Sequence, residues 1–211
     1  MLKFSNKRKY SNQISFSPNS FYFAISKGIQ LVIYSCQTLK PIKIYTFIDF
    51  IEDIKWSNSN KLILIGIYKR NRCEIRNIEN DNFICTIDEG VQGMSNALFS
   101  PNSSHVLSFN QNVTKLTIRS LLNKNTMFIS LPKFSKKGLA FSSQGKGKFM
   151  ALAERKETKD IIGIYYIQKW ICFRRFPVET EDLQDIQWSF DNLNIIIVDS
   201  PCVCKLLIYN I

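Results

Sequence analysis

The sequence holds one histidine, His105. Nucleophilic catalysis by serine or cysteine ordinarily relies on a neighbouring imidazole base, and many metal sites need several. A solitary histidine at the start of an apolar stretch argues against both. The adjacent carboxylates Asp88 and Glu89 could in principle move a proton or hold a cation, but no partner groups accompany them. Six cysteines (Cys36, Cys73, Cys85, Cys172, Cys202 and Cys204) are scattered along the chain. Only Cys202 and Cys204 are close, and a Cys-x-Cys without a second pair does not make a zinc site. Reduced, partly buried thiols are expected. Gly145-Lys146-Gly147-Lys148 resembles half of a phosphate loop, yet the rest of the motif is missing and a strand pattern rather than a helix follows. It reads as a turn. The potential catalytic groups form no recognised arrangement. The sequence therefore predicts a non-enzyme, with no catalytic residue, metal ligand, cofactor or small-molecule substrate.

Charged clusters are the remaining chemistry. Tyr68-Lys69-Arg70-Asn71-Arg72 places Lys69, Arg70 and Arg72 at a hairpin tip, where binding residues concentrate. A solvated hairpin and a partner contact are both open readings. Glu154, Arg155, Lys159 and Asp160 flank a second, mixed-charge hairpin. Its two readings are a hairpin paired across its own turn and an edge that recognises a partner.

The elements that carry these groups follow a repeat. An aromatic residue precedes a polar turn and then an apolar run, at Phe16, Trp56, Phe99, Phe141 and Trp188, with spacings of 40, 43, 42 and 47 residues. The turns are typified by Ser17-Pro18-Asn19 and Ser100-Pro101-Asn102. Proline fixes one turn dihedral there and asparagine tolerates the next. Each aromatic is expected to plug the gap between neighbouring sheets, and each following strand to be apolar on both faces because it lies between them. A third strand closes each unit, at residues 31–35, 74–77, 116–120, 161–165 and 206–210. A period in the low forties with several strands per unit is the signature of a β-propeller, of the WD-repeat kind. The pairs at the third-strand ends are Tyr-Ser, Arg-Asn, Arg-Ser, Tyr-Tyr and Tyr-Asn, so the usual Trp-Asp and its histidine partner are missing. The expected fold is all-β: an incomplete WD-repeat propeller ring of about five blades. Its units run over residues 1–35, 36–78, 79–121, 122–167 and 168–211, with each outer strand opening the next blade. Met1 to Lys9 reads as a first outer strand.

The net charge of +11 and a pI near 9.4 suit nucleic acid, an anionic membrane or an acidic polymer surface. No apolar run reaches the ~20 residues of a membrane span, and the amino terminus lacks the apolar core of a signal peptide. Intracellular residence is the default expectation.

Several phrases carry a closer resemblance. They are Tyr45-Thr46-Phe47-Ile48-Asp49, Ile54-Lys55-Trp56-Ser57, Tyr68-Lys69-Arg70, Cys85-Thr86-Ile87-Asp88-Glu89-Gly90, Phe99-Ser100-Pro101, and Met150-Ala151-Leu152-Ala153-Glu154-Arg155 with Lys159-Asp160. Their order and spacing resemble the WD repeat-containing protein eight family, the centriolar-satellite and spindle-pole WD-repeat proteins. The likeness runs from about residue 10 to the end, and family members are longer, so the chain resembles their amino-terminal half. The resemblance implies a scaffold of the cytoplasm and cytoskeleton, at the centrosome, basal body and spindle pole. It implies a coiled-coil microtubule-anchoring partner, contact with the microtubule minus-end machinery, and roles in spindle organisation and cilium assembly. Charge alone suggests an alternative, a basic propeller on RNA or ribosomes.

Overall fold

The computed structural model describes residues 13–123, 125–142 and 148–211. The expectation for Met1 to Lys9 lies outside them, as does most of the Gly145 to Lys148 turn. The chain forms two compact units, Met1–Gly90 and Val91–Ile211.

The first unit holds two four-stranded antiparallel meanders. One comprises β1 (Ile14–Phe16), β2 (Tyr22–Lys27), β3 (Gln30–Ser35) and β4 (Pro41–Thr46). The other comprises β5 (Asp53–Trp56), β6 (Leu62–Ile67), β7 (Arg72–Asn77) and β8 (Ile84–Asp88). The second unit holds three sheets: β9 (Asn96–Phe99) to β12 (Thr126–Ser130) through β10 (His105–Phe109) and β11 (Lys115–Ser120); β13 (Leu139–Phe141) to β16 (Ile171–Pro177) through β14 (Phe149–Lys156) and β15 (Lys159–Tyr166); and β17 (Asp185–Trp188), β18 (Asn194–Val198) and β19 (Leu206–Asn210).

The strands named from the sequence within the described residues are present, but one assignment changes. The outer strand β4 pairs with β3, with Leu31 opposite Tyr45. Likewise β16 pairs with β15, with Ile162 opposite Phe176. Each outer strand therefore closes the sheet it follows rather than opening the next. Short connections explain this, because consecutive antiparallel strands joined by a few residues pair directly.

Strand β14 shows why the sheets stack. Met150 and Leu152 join a core cluster with Leu107, Leu116 and Ile118 of the preceding sheet. Ala151 and Ala153, pointing the other way, join a cluster with Ile186, Ile195 and Ile197 of the following sheet. Successive side chains alternate faces, so a strand covered on both sides is apolar over a run of consecutive positions, as at Met150 to Ala153. In the first unit Leu31 and Ile33 pack against Ile54, Ile63 and Ile65 in the same manner. Fully burying each such side chain contributes about 1.5–3 kcal/mol.

The turns repeat in detail. Ser17, Ser57 and Ser100 are buried. Each hydroxyl accepts the backbone N–H that begins the next strand: Tyr22 at 3.0 Å, Leu62 at 3.1 Å and His105 at 3.0 Å. Ser142 and Ser189 do the same for Phe149 and Asn194. Three residues after the serine the chain enters the left-handed region, at Ser20, Asn60, Ser103 and Asn192. The N–H of that residue returns to the serine carbonyl, for example Asn60 to Ser57 at 3.0 Å. Short polar residues tolerate this conformation best, which is why serine and asparagine fill it.

Candidate interaction surface

Two of the five aromatic anchors bridge neighbouring sheets through a hydrogen bond. The Trp56 indole donates from Nε1 to the Ser15 carbonyl of β1 at 3.1 Å, and Trp188 donates to the Ala140 carbonyl of β13 at 3.1 Å. Phe141 is half-buried against the core shared by the third and fourth sheets, and Phe99 is also half-buried. Phe16 departs from the expectation: it is 64% exposed, and its ring lies 5.7 Å from that of Phe23 in its own sheet. An anchor reaches back to the sheet before it, and no described sheet precedes Phe16 in its unit.

The first charged cluster sits on a 3-10 turn at Tyr68–Arg70, closed by Asn71 in the left-handed region. Its positive charge is largely answered locally. Arg70 Nε donates to Asp49 Oδ2 at 2.7 Å, and the Lys69 backbone N–H donates to Glu52 Oε1 at 2.7 Å. The Arg70 guanidinium, with help from the Phe50 N–H, holds the Asp49 carboxyl below its ordinary range. Arg72 reaches the buried Glu74 at 3.4 Å, and Arg76 reaches it at 2.9 Å. What faces solvent is Lys69 and Arg70 interleaved with carboxylates, and exposed pairs of this kind contribute little to stability.

The second cluster divides in two. Arg155 and Asp160 face each other across the β14–β15 hairpin and approach to 3.7 Å. Glu154 and Asp160, however, are buried, which removes them from any recognition edge. Glu154 receives a hydrogen bond from the Tyr165 hydroxyl and an ion pair from Arg175 Nε at 3.0 Å. Burial first, and then the Glu154 carboxylate, push the Tyr165 phenol upward. Asp160 Oδ2 accepts from Lys133 Nζ at 2.8 Å and from the Leu183 N–H at 2.8 Å. Lys133 also donates to Asp182 at 2.7 Å, and Arg155 to Asp182 at 3.0 Å. A charge taken out of water requires such partners. Lys159 is exposed and stands opposite Lys156.

Lys133, Arg175 and Asp182 had no signal of their own in the sequence. Lys133 is 27 residues from Asp160 and 49 from Asp182. The sole sequence hint was the acidic run Glu179, Glu181 and Asp182 beside the basic run Arg174 and Arg175.

The residues with catalytic potential are engaged structurally. His105 lies edge-on to Trp170 at 5.4 Å, its Nδ1 is 2.7 Å from Ser104 Oγ, and burial lowers its pKa. Asp88 Oδ1 accepts the Gly90 N–H at 2.7 Å and shapes the turn. The six cysteines are unbridged. Among the described residues no group of three or more His, Cys, Asp or Glu could hold a metal ion, and no helix is long and apolar enough to cross a membrane.

A groove opens between β13 and β17, with a volume of about 500 Å³. Lys136 and Lys137 line it together with Phe141, Asp185, Trp188 and Phe190.

No family model matches the chain. The mouse (Mus musculus) WD repeat-containing protein WRAP73 is 31% identical over 211 residues, covering the whole of this chain. The β-propeller domain of Cps50 (Swd1) from Myceliophthora thermophila superposes with a TM-score of 0.64 at 10% identity, over 93% of this chain and 65% of that one. The chain has a β-propeller fold. Kuenenia stuttgartiensis hydrazine synthase shares the fold at a TM-score of 0.63 and 11% identity, covering 100% of this chain and 70% of that one. Likeness at that level of identity speaks for architecture alone. The chain spans 45% of the length of the mouse relative.

Proposed function

We propose that this protein is a non-enzymatic WD-repeat scaffold of the centrosome, basal body and spindle pole. In this reading it binds a coiled-coil microtubule-anchoring partner, and it supports minus-end anchoring, spindle organisation and cilium assembly. One observation carries the proposal: similarity to the mouse WD-repeat protein extends along the full 211 residues, through the stretches at 45–90 and 149–160. The architecture supports the general part. Stacked sheets whose polar groups are consumed by turns and ion pairs offer surface for protein contacts rather than a reaction centre.

The test is to tag the full-length endogenous protein and image it beside a centrosomal marker through the cell cycle. Puncta coincident with the marker are expected, and diffuse signal overturns the location. The net charge of +11 favours a second reading, association with RNA or ribosomes. That reading requires co-sedimentation with ribosomes that falls steeply with salt and is competed by added RNA.

A further inference from the structure

The groove between β13 and β17 has features that the fold does not require. Phe190 is 90% exposed at the tip of its turn. The corresponding turn position holds Pro18, Asn58 and Pro101 in three other repeats. Proline there fixes a dihedral and asparagine is a good turn former, whereas a phenyl ring does neither and exposes a large apolar surface. Aromatic side chains placed in this way are a recurring feature of protein-binding surfaces. Beside Phe190, the Trp188 indole is half-buried with its N–H committed to Ala140, so the groove meets the ring rather than the donor.

The rim of the groove is cationic. Lys43, Lys55, Lys61, Arg70, Lys133 and Arg155 each have a carboxylate partner. Lys136 and Lys137 are exposed and adjacent, and among the described residues neither is ion-paired. The one carboxylate on the groove wall is turned aside: Asp185 Oδ1 accepts the Gly138 N–H at 3.1 Å and the Ile186 N–H at 2.9 Å. A volume of about 500 Å³ admits one or two anchoring side chains, but not a whole helix of roughly 10–12 Å diameter.

We infer that this groove docks a short acidic segment of a partner protein, with an aromatic or aliphatic side chain seated against Trp188 and Phe190 and its carboxylates on Lys136 and Lys137. The inference deepens the scaffold reading and depends on it only in taking the bound molecule to be a protein. Complementary charge speeds encounter and sets orientation, while the buried apolar anchor supplies most of the affinity.

A random peptide library displayed on phage, selected on the full chain, tests this directly, followed by fluorescence anisotropy of the recovered peptides. Acidic peptides with an embedded Phe, Trp or Leu are expected. Phe190→Asn keeps the turn chemistry of Asn58, and the paired charge reversals Lys136→Glu and Lys137→Glu lie on an exposed segment. Each variant should weaken binding about tenfold or more while its melting curve stays that of the wild type. Recovery of no saturable binder overturns the inference. So does an equal affinity of the variants, or the selection of basic peptides. Displacement of the recovered peptide by single-stranded RNA with equal loss in both variants assigns the groove to nucleic acid and also overturns it. Imaging of the wild-type protein is a separate measurement, so a failed location and an empty groove remain distinguishable.

Discussion

Among single residues, the buried polar groups yield the sharpest expectations. Lys133→Met leaves the buried Asp160 carboxylate, among the described residues, with the Leu183 N–H and the Thr180 hydroxyl as hydrogen-bond donors and Arg155 at 3.7 Å as its remaining cation. Removing one partner from a buried pair costs about 3–5 kcal/mol, so the urea midpoint should fall sharply in equilibrium unfolding. Trp56→Phe keeps most of the packing and deletes the bond to Ser15, at a cost of about 1 kcal/mol. Gly163→Ala should destabilise by about 1–3 kcal/mol, because an added Cβ would lie 2.7 Å from the Tyr165 ring and inside contact distance of Glu154 Oε1. These residues also mark where sequence reading stops. Trp56 and Trp188 were legible because an aromatic before a polar turn recurs. Glu154 and Asp160 looked like surface charges because their cations, Arg175 and Lys133, lie 21 and 27 residues away. Local charge pattern carries no information about partners at that separation.

The sheets and their order were legible because period-2 alternation and turn chemistry are local signals. The outer strands were not assigned to the correct sheet, since an exposed strand such as β16 has no buried face to reveal what it leans on. That difference has a dynamic consequence. The inner strands β6, β10 and β14 are buried along nearly their whole length, while β4, β8 and β16 are mostly exposed on one edge of their sheets. Amide hydrogen exchange should therefore protect the inner strands longest and release the outer strands first. Uniform protection across a four-stranded sheet would contradict this. The turn serines belong to the same scale: Ser100→Ala removes the acceptor for the His105 N–H and should cost about 1 kcal/mol, read from the denaturation midpoint.

For the whole molecule, charge and edges decide behaviour. Asp182 is held below its ordinary range first by Lys133, Asp49 by Arg70, Asp81 by Lys43 and Asp191 by Ser189. A depressed native pKa means that the unfolded chain takes up protons first. The associated stability is present above the unfolded value of about 3.9 and is lost as pH falls through the lower native values. Thermal melts should therefore drop in midpoint below about pH 4, and Lys133→Met should flatten the share due to Asp182. At β19 the pattern differs from the other third strands. Leu206 is 64% and Ile208 69% exposed, and no described strand lies beyond it.

The placement of the indoles has one more consequence. The sequence contains three tryptophans: Trp56 spans β1 to β5, Trp188 spans β13 to β17, and Trp170 lies against His105 across the third and fourth sheets. Ultraviolet emission from this protein is therefore a readout of the junctions between sheets. Retaining one indole at a time would give each junction its own optical reporter, and the order of the red shifts during unfolding would show which junction separates first.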